Sequence, residues 1–113
     1  MKKHIVSVEA ILNALHNNYI YPFTANAPKK PVAVKRSKYM PDGRIKASQW
    51  EQINLHVVYA DGSTEFIDER AFDCVLDMLK PKTWDHTGWS MNLSFNNDNP
   101  MQLQDVEVER YQD

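Results

Sequence analysis

Two spacings of apolar residues recur along the chain, and they predict helices and strands in turn. The three- to four-residue spacing predicts a first helix over Val8–Asn17, N-capped by Ser7, and a second helix that begins after Asp68 and ends before Pro81. Each helix carries one apolar stripe for a core. The stripe residues are Val8, Ile11, Leu12, Leu15 and Tyr19 in the first helix and Phe72, Val75, Leu76 and Leu79 in the second.

A two-residue period predicts strands in the middle of the chain. The clearest signal is a hairpin over Gln52–Asp68, in which Asp61-Gly62 supplies the positive φ angles of a tight turn. Before this hairpin, the segments Val32–Tyr39 and Arg44–Ser48 flank Met40-Pro41-Asp42-Gly43, which has the composition of a β-turn. These two segments are therefore predicted to pair as a β-ribbon.

Two more strands are predicted near the end of the chain. Trp89–Phe95 alternates apolar and polar residues, and residues 96–100 have the composition of a turn. The last strand is predicted over Gln102–Tyr111. Its apolar phase shifts between Leu103 and Val106, which indicates a bulge.

The order of these elements predicts a single small globular domain over residues 1–113, of the α+β class. We expect an antiparallel β-sheet of about four to five strands with two α-helices packed on one face. The composition, with 42% hydrophobic residues, suits a folded chain of this length. Residues 21–31 contain three prolines and are predicted to form a surface loop.

Cysteine usage and hydropathy indicate a cytoplasmic protein. A lone cysteine, Cys74, cannot form an internal disulfide, which favours a reducing compartment. The longest apolar run, Val57–Ala60, is far shorter than the roughly twenty residues that cross a bilayer. Glu9 and Asn13 interrupt any apolar stretch of an export signal. We therefore expect neither membrane insertion nor export.

The net charge of −2 conceals a strong asymmetry along the chain. Residues 1–50 hold nine cations against two acids, giving +7, whereas residues 51–113 hold four cations against thirteen acids, giving −9. Such asymmetry indicates a polyanion site, an acidic partner surface, or two faces that neutralise each other.

The predicted ribbon carries seven of the thirteen cations within residues 29–46. Phosphates attract such charge, a two-stranded ribbon fits a major groove, and Tyr39 and Trp50 could stack on bases. The alternative is a solvated hairpin whose cations partly neutralise the acidic half. The basic residues are Lys29, Lys30, Lys35, Arg36, Lys38, Arg44 and Lys46.

Three carboxylates alternate on the final predicted strand: Asp105, Glu107 and Glu109. Because alternate residues of a strand point the same way, neighbouring carboxylates would lie about 6.6 to 6.8 Å apart. The row could complement a basic groove. The alternative is an edge strand that its charges keep soluble.

The remaining candidates for chemistry are weaker. Trp84 and Trp89 enclose a loop with Asp85 and His86; the tryptophans are predicted to anchor this loop on the core and to be available as interface contacts. A catalytic Cys74 or His86 would need a base or further ligands that no spacing in the sequence supplies. The three isolated glycines form no phosphate-binding loop, so no cofactor is expected, and no His/Cys/Asp spacing suits a metal site.

These observations favour a non-enzymatic macromolecule-binding protein that acts through charged surfaces as an inhibitor, adaptor or immunity-type partner, with another protein as its expected partner. Its size and lack of a chemical site resemble the small proteins of phages and mobile elements. The alternative is a small nucleic-acid-binding protein that uses the basic ribbon 29–46. An enzyme that uses Cys74 or His86 is a third hypothesis.

Overall fold

A computed structural model describes residues 3–18, 29–37, 44–46, 49–84 and 88–110. These residues form seven strands, three helices and one 3-10 turn. In chain order they are β1 (Lys3–Ser7), α1 (Val8–Asn17), β2 (Pro31–Arg36), β3 (Arg44–Lys46), α2 (Trp50–Ile53), β4 (Leu55–Tyr59), β5 (Thr64–Phe66), α3 (Glu69–Leu79), a 3-10 turn (Lys82–Trp84), β6 (Trp89–Phe95) and β7 (Leu103–Arg110).

The two longer helices begin and end where local signals predict. The Ser7 side chain accepts a hydrogen bond from the Ala10 amide of α1 at 3.2 Å. The Asp68 carboxylate accepts one from the Arg70 amide of α3 at 2.8 Å, and the Arg70 side chain then lowers the pKa of Asp68. Each helix buries one stripe: Ile11, Leu12, Ala14 and Leu15 in α1 and Ala71, Phe72, Val75 and Leu76 in α3. Of the predicted stripe residues, Val8 and Leu79 are half-buried, and Tyr19 lies outside the described residues.

We call the larger sheet sheet A. Within the described ranges it has four antiparallel strands in the order β1-β7-β6-β3. Strand β1, which the sequence pattern did not predict, pairs with β7 along its whole length. The predicted bulge in the last strand is confirmed, because Ser94 lies opposite Asp105 and Phe95 lies opposite Leu103, which leaves Gln104 as the extra residue.

The smaller sheet, sheet B, contains three antiparallel strands among the described residues, in the order β2-β4-β5. It includes the predicted hairpin, whose turn holds Gly62 at a φ of +88°. The hairpin starts later than Gln52, because residues 50–53 form the short helix α2. Asn54 ends α2 in the left-handed conformation, with a φ of 58°, and redirects the chain into β4.

The prediction that Val32–Tyr39 and Arg44–Ser48 pair as a β-ribbon is wrong. Strand β2 pairs with β4 in sheet B, and β3 pairs with β6 in sheet A. The turn signal at residues 40–43, which lies outside the described residues, suggested that its flanking segments pair with each other. Each segment instead has an apolar partner elsewhere: Val34 lies opposite Val57, and Ile45 lies opposite Leu93. A turn composition alone does not choose the partner of a strand.

One hydrophobic core joins both sheets and the longer helices. Helix α1 packs on β2 and also contacts α3, β1 and β7. The sheets meet at a bridge between Lys35 and Gln102, next to which the Arg36 amide donates to the Met101 carbonyl at 2.8 Å.

The α+β class is confirmed, and the described strands number seven in two sheets instead of four to five in one. Among the described residues, no helix is long and apolar enough to span a membrane.

Candidate functional site

Arg36, predicted to contact a partner, belongs to the interior. Arg36 is 2% exposed, and its Nε donates a hydrogen bond to the Pro100 carbonyl at 2.8 Å. Its guanidinium lies 4.0 Å from the centroid of the Phe95 ring, which is a cation–π contact. Arg36 therefore connects β2 to the turn between β6 and β7. A buried side chain of this kind cannot meet a partner, so this prediction is corrected.

The two lysines that precede β2 differ in their contacts. Lys29 Nζ donates to Ser63 Oγ at 3.2 Å, lies 3.7 Å from Asp61 Oδ2, and sits 5.5 Å from the centroid of the Tyr59 ring. The pKa of Asp61 is lowered, chiefly by the Ser63 hydroxyl and amide, with a smaller contribution from the Lys29 charge. Lys29 thus braces the β4–β5 turn, and Lys30 is exposed beside it.

The other predicted ribbon cations divide between the sheets. Lys35 lies half-buried in β2, whereas the register of β3 places Arg44 opposite Ser94 and Lys46 opposite Asn92 in sheet A. Lys38 and Tyr39 lie outside the described residues. Trp50, expected to stack on bases, is buried, and its ring centroid lies 4.9 Å from that of Phe72.

The predicted carboxylate row lies on β7, which is a central strand between β1 and β6 and not an edge strand. Lys3 Nζ lies 3.8 Å from Glu107 Oε1 and 3.6 Å from Glu109 Oε2, so both acids point to the same face, as alternation predicts. Glu107 is 8% exposed, whereas Asp105 and Glu109 remain half-exposed. The accessible charge of the row is therefore at its two ends.

The neighbours of this row form a polar surface that we call the open face of sheet A. Asp105, Glu107 and Glu109 lie opposite the short polar residues of β6, while Met91, Leu93, Val106 and Val108 point into the core. On the other side β1 places exposed Ile5 opposite Glu107. On the two strands next to β7, the residues that share the face with the row are Lys3, Ile5, Ser7, Ser90, Asn92 and Ser94. One cation of the basic half, Lys3, thus meets two carboxylates of the acidic half inside sheet A.

The tryptophans of the 84–89 segment contribute to the core. Trp84 is buried in the 3-10 turn, where its amide donates to the Pro81 carbonyl at 3.0 Å, and half-buried Trp89 packs against the core from β6. Asp85 and His86 lie outside the described residues. These positions agree with the anchoring role predicted for the tryptophans. Trp84 is buried and so is not available as the interface contact that was also predicted, whereas half-buried Trp89 keeps part of its surface exposed.

The row Lys35–His56–Phe66 across sheet B is a second candidate surface, which the sequence pattern did not predict; Lys35 and His56 are half-buried and Phe66 is exposed. The register places His56 opposite both Lys35 and Phe66. Phe66 is 64% exposed, and its ring meets the His56 imidazole edge-on, with centroids 6.2 Å apart and an angle of 82° between the planes. Residues 60–62 form a three-residue loop closed by the pair Tyr59–Ser63, and only Gly62 in it has a positive φ. Counting outward from a two-residue turn at Asp61-Gly62 would have placed His56 opposite Ile67, so the turn composition did not reveal the row.

Helix α3 carries exposed Cys74 beside an acid with a shifted pKa. Burial raises the pKa of Asp73, and the negative charge of Glu69 one turn earlier raises it further. No group of three or more His, Cys, Asp or Glu residues that could hold a metal ion occurs in the part of the chain that the structure describes.

Asp73→Asn is expected to raise the free energy of unfolding at pH 7 by about a few tenths of a kcal/mol, because it removes a partly buried charge and its repulsion from Glu69. The pKa is higher in the folded state, so ionised Asp73 costs stability above that pKa. The advantage of the variant should therefore shrink as the pH falls toward about 4. Urea unfolding at pH 7 and at about pH 4 measures the difference in stability between the variant and the wild-type chain. Asp98→Asn, on an exposed turn, is the control. A pH-independent difference would contradict this assignment.

No family model, curated protein or solved structure matches this chain.

Proposed function

We propose that this chain is a non-enzymatic binding protein that engages a basic surface of another protein through the open face of sheet A. Such a protein would act as an inhibitor, an adaptor or an immunity-type partner. The observation that carries the proposal is the carboxylate row Asp105, Glu107 and Glu109, which lies on a central strand and is bordered by short polar side chains.

The position of the row favours recognition by a partner. A strand that is hydrogen-bonded on both sides has a fixed backbone, so little backbone entropy is lost on binding. The two ends of the row, Asp105 and Glu109, are half-exposed beside the short side chains of Ser94 and Ser90, whereas Glu107 between them is buried. Lys3 partly neutralises Glu107 and Glu109, which fixes their direction and leaves Asp105 as the carboxylate farthest from Lys3 along the row.

An apolar residue on the same face supports a protein as the partner. Ile5 is exposed on β1, beside Glu107 and between Lys3 and Ser7. Protein interfaces combine apolar contacts with a charged and polar rim, and complementary charges steer the encounter. An exposed isoleucine next to a carboxylate row has this composition.

A pull-down from cell extract at physiological salt, run with and without nuclease, tests the proposal. We expect one dominant protein that nuclease treatment does not remove. Asp105→Lys should weaken the binding of this protein at least about tenfold, because the new lysine would face the basic surface of the partner. Asp98→Lys, which makes the same change of charge on the β6–β7 turn, should weaken it less than about twofold. A clean eluate, or an equal loss in both variants, would contradict the proposal.

A further inference from the structure

We propose that the row Lys35–His56–Phe66 on the outer face of sheet B binds single-stranded nucleic acid. In this arrangement Phe66 and His56 stack on bases and Lys35 contacts a phosphate. The site lies on a different sheet from the carboxylate row, and it uses aromatic rings and a cation where the open face of sheet A uses carboxylates. The inference therefore goes beyond the proposed protein-binding function and does not depend on it.

Phe66 is the most exposed of the large hydrophobic residues in the described part of the chain. It lies on β5, an outer strand of sheet B, with its backbone held by pairing to β4. An exposed phenyl ring on a fixed strand offers a flat apolar surface to a base, and every base can stack on such a ring. Stacking would bury apolar surface that now contacts water.

His56 favours a single strand over a duplex. Its ring stands at 82° to that of Phe66, and its Nδ1 lies 3.4 Å from the Ser37 hydroxyl, which orients the imidazole. Two bases that stack on nearly perpendicular rings cannot remain stacked on each other. Only an unpaired strand can spread its bases in this way, and aromatic and histidine side chains are typical partners of splayed bases.

The charge of this face also selects the ligand. Lys35 lies in the row itself, and exposed Lys30 lies on the segment that leads into β2. The acid on β5, Glu65, accepts a hydrogen bond from Tyr59 Oη at 2.6 Å, and Tyr59 is buried on the inner face. Among the described residues, the outer face holds no carboxylate; its other members are Ala33, Val58 and Thr64. A polyanion with flat apolar groups is complementary to this surface.

Fluorescence anisotropy with a labelled ten-nucleotide oligothymidylate and the matching oligouridylate tests the site in about 50 mM salt. The wild-type chain should bind at least one of them. Phe66→Ala should weaken binding about 5- to 140-fold, the range found for loss of one base stack. Phe66→Tyr should retain binding, and Phe66→Leu should lose most of it because it keeps apolar area without a ring. The control is Met78→Ala, an exposed apolar residue on α3, which should change nothing.

The salt dependence tests the phosphate contact separately. Lys35→Gln should reduce the slope of log affinity against log salt by about 0.7, the contribution of one phosphate contact in a single strand. No binding at about 100 μM protein would overturn the inference. So would equal losses in Phe66→Ala and Met78→Ala, or a Phe66-dependent protein partner without oligonucleotide binding. Because Phe66→Ala leaves the carboxylate row intact, failure here is distinguishable from failure of the pull-down with Asp105→Lys.

Discussion

Arg36→Ala is expected to lower the free energy of unfolding by about 2–4 kcal/mol. The substitution removes a fully buried side chain, its hydrogen bond to the Pro100 carbonyl and its cation–π contact with Phe95. The carbonyl loses this donor, and the space beside the phenyl ring is left empty. For a domain of this size the midpoint of thermal unfolding should fall by about 10 °C, which circular dichroism on heating measures.

Two further variants make this result specific. Lys35→Ala removes the neighbouring, half-buried lysine and should change the free energy of unfolding by less than about 0.5 kcal/mol. Arg36→Lys keeps the charge but lacks the planar guanidinium, so it should recover less than half of the loss. If Arg36→Ala were as stable as Lys35→Ala, Arg36 would have no structural role and would return to the set of candidate partner contacts.

Arg36 also shows which parts of the fold the sequence could not predict. Arginine is rarely buried, so a cation in a basic segment is naturally placed on the surface. Its burial depends on Phe95 and Pro100, which are distant in sequence and reach Arg36 only because β2 lies beside the start of β7. No local pattern around Arg36 carries this information.

The elements that were predicted correctly have their causes within a few residues. Helix α1 follows from Ser7 and one apolar stripe, and β6 follows from regular alternation. Strand β1 was missed because its apolar residues Ile5 and Val6 are adjacent and show no two-residue period, although only Val6 is buried. Burial on one face could be assigned only after β7 was known to pair with β1.

The candidate sites also divide into features that one strand determines and features that depend on several strands. Alternation correctly placed Glu107 and Glu109 on one face, since that property belongs to a single strand. The central position of β7 depends on β1 and β6 together, so the expectation of an edge strand was wrong. The row that ends at Phe66 depends on three strands, and Phe66 by itself resembles any other apolar strand residue.

Phe72→Ala is expected to have the largest effect on stability, a loss of about 3–5 kcal/mol in the free energy of unfolding. Phe72 is 0% exposed, and its ring lies against Trp50 with centroids 4.9 Å apart at 51°. The substitution leaves a cavity in the core and removes the aromatic contact with α2. A double-mutant cycle with Trp50→Leu should assign about 1 kcal/mol to the pair itself.

Urea unfolding followed by circular dichroism measures these changes, with Met78→Ala on the same helix as the control. Met78 is 40% exposed, so its truncation should cost less than about 0.5 kcal/mol. The same variants separate stability from binding, because Trp50→Leu should leave oligonucleotide affinity unchanged at a temperature where it is folded. A Phe72→Ala variant as stable as Met78→Ala would argue that Trp50 and Phe72 do not pack in the core, and would restore Trp50 as a candidate for stacking on bases.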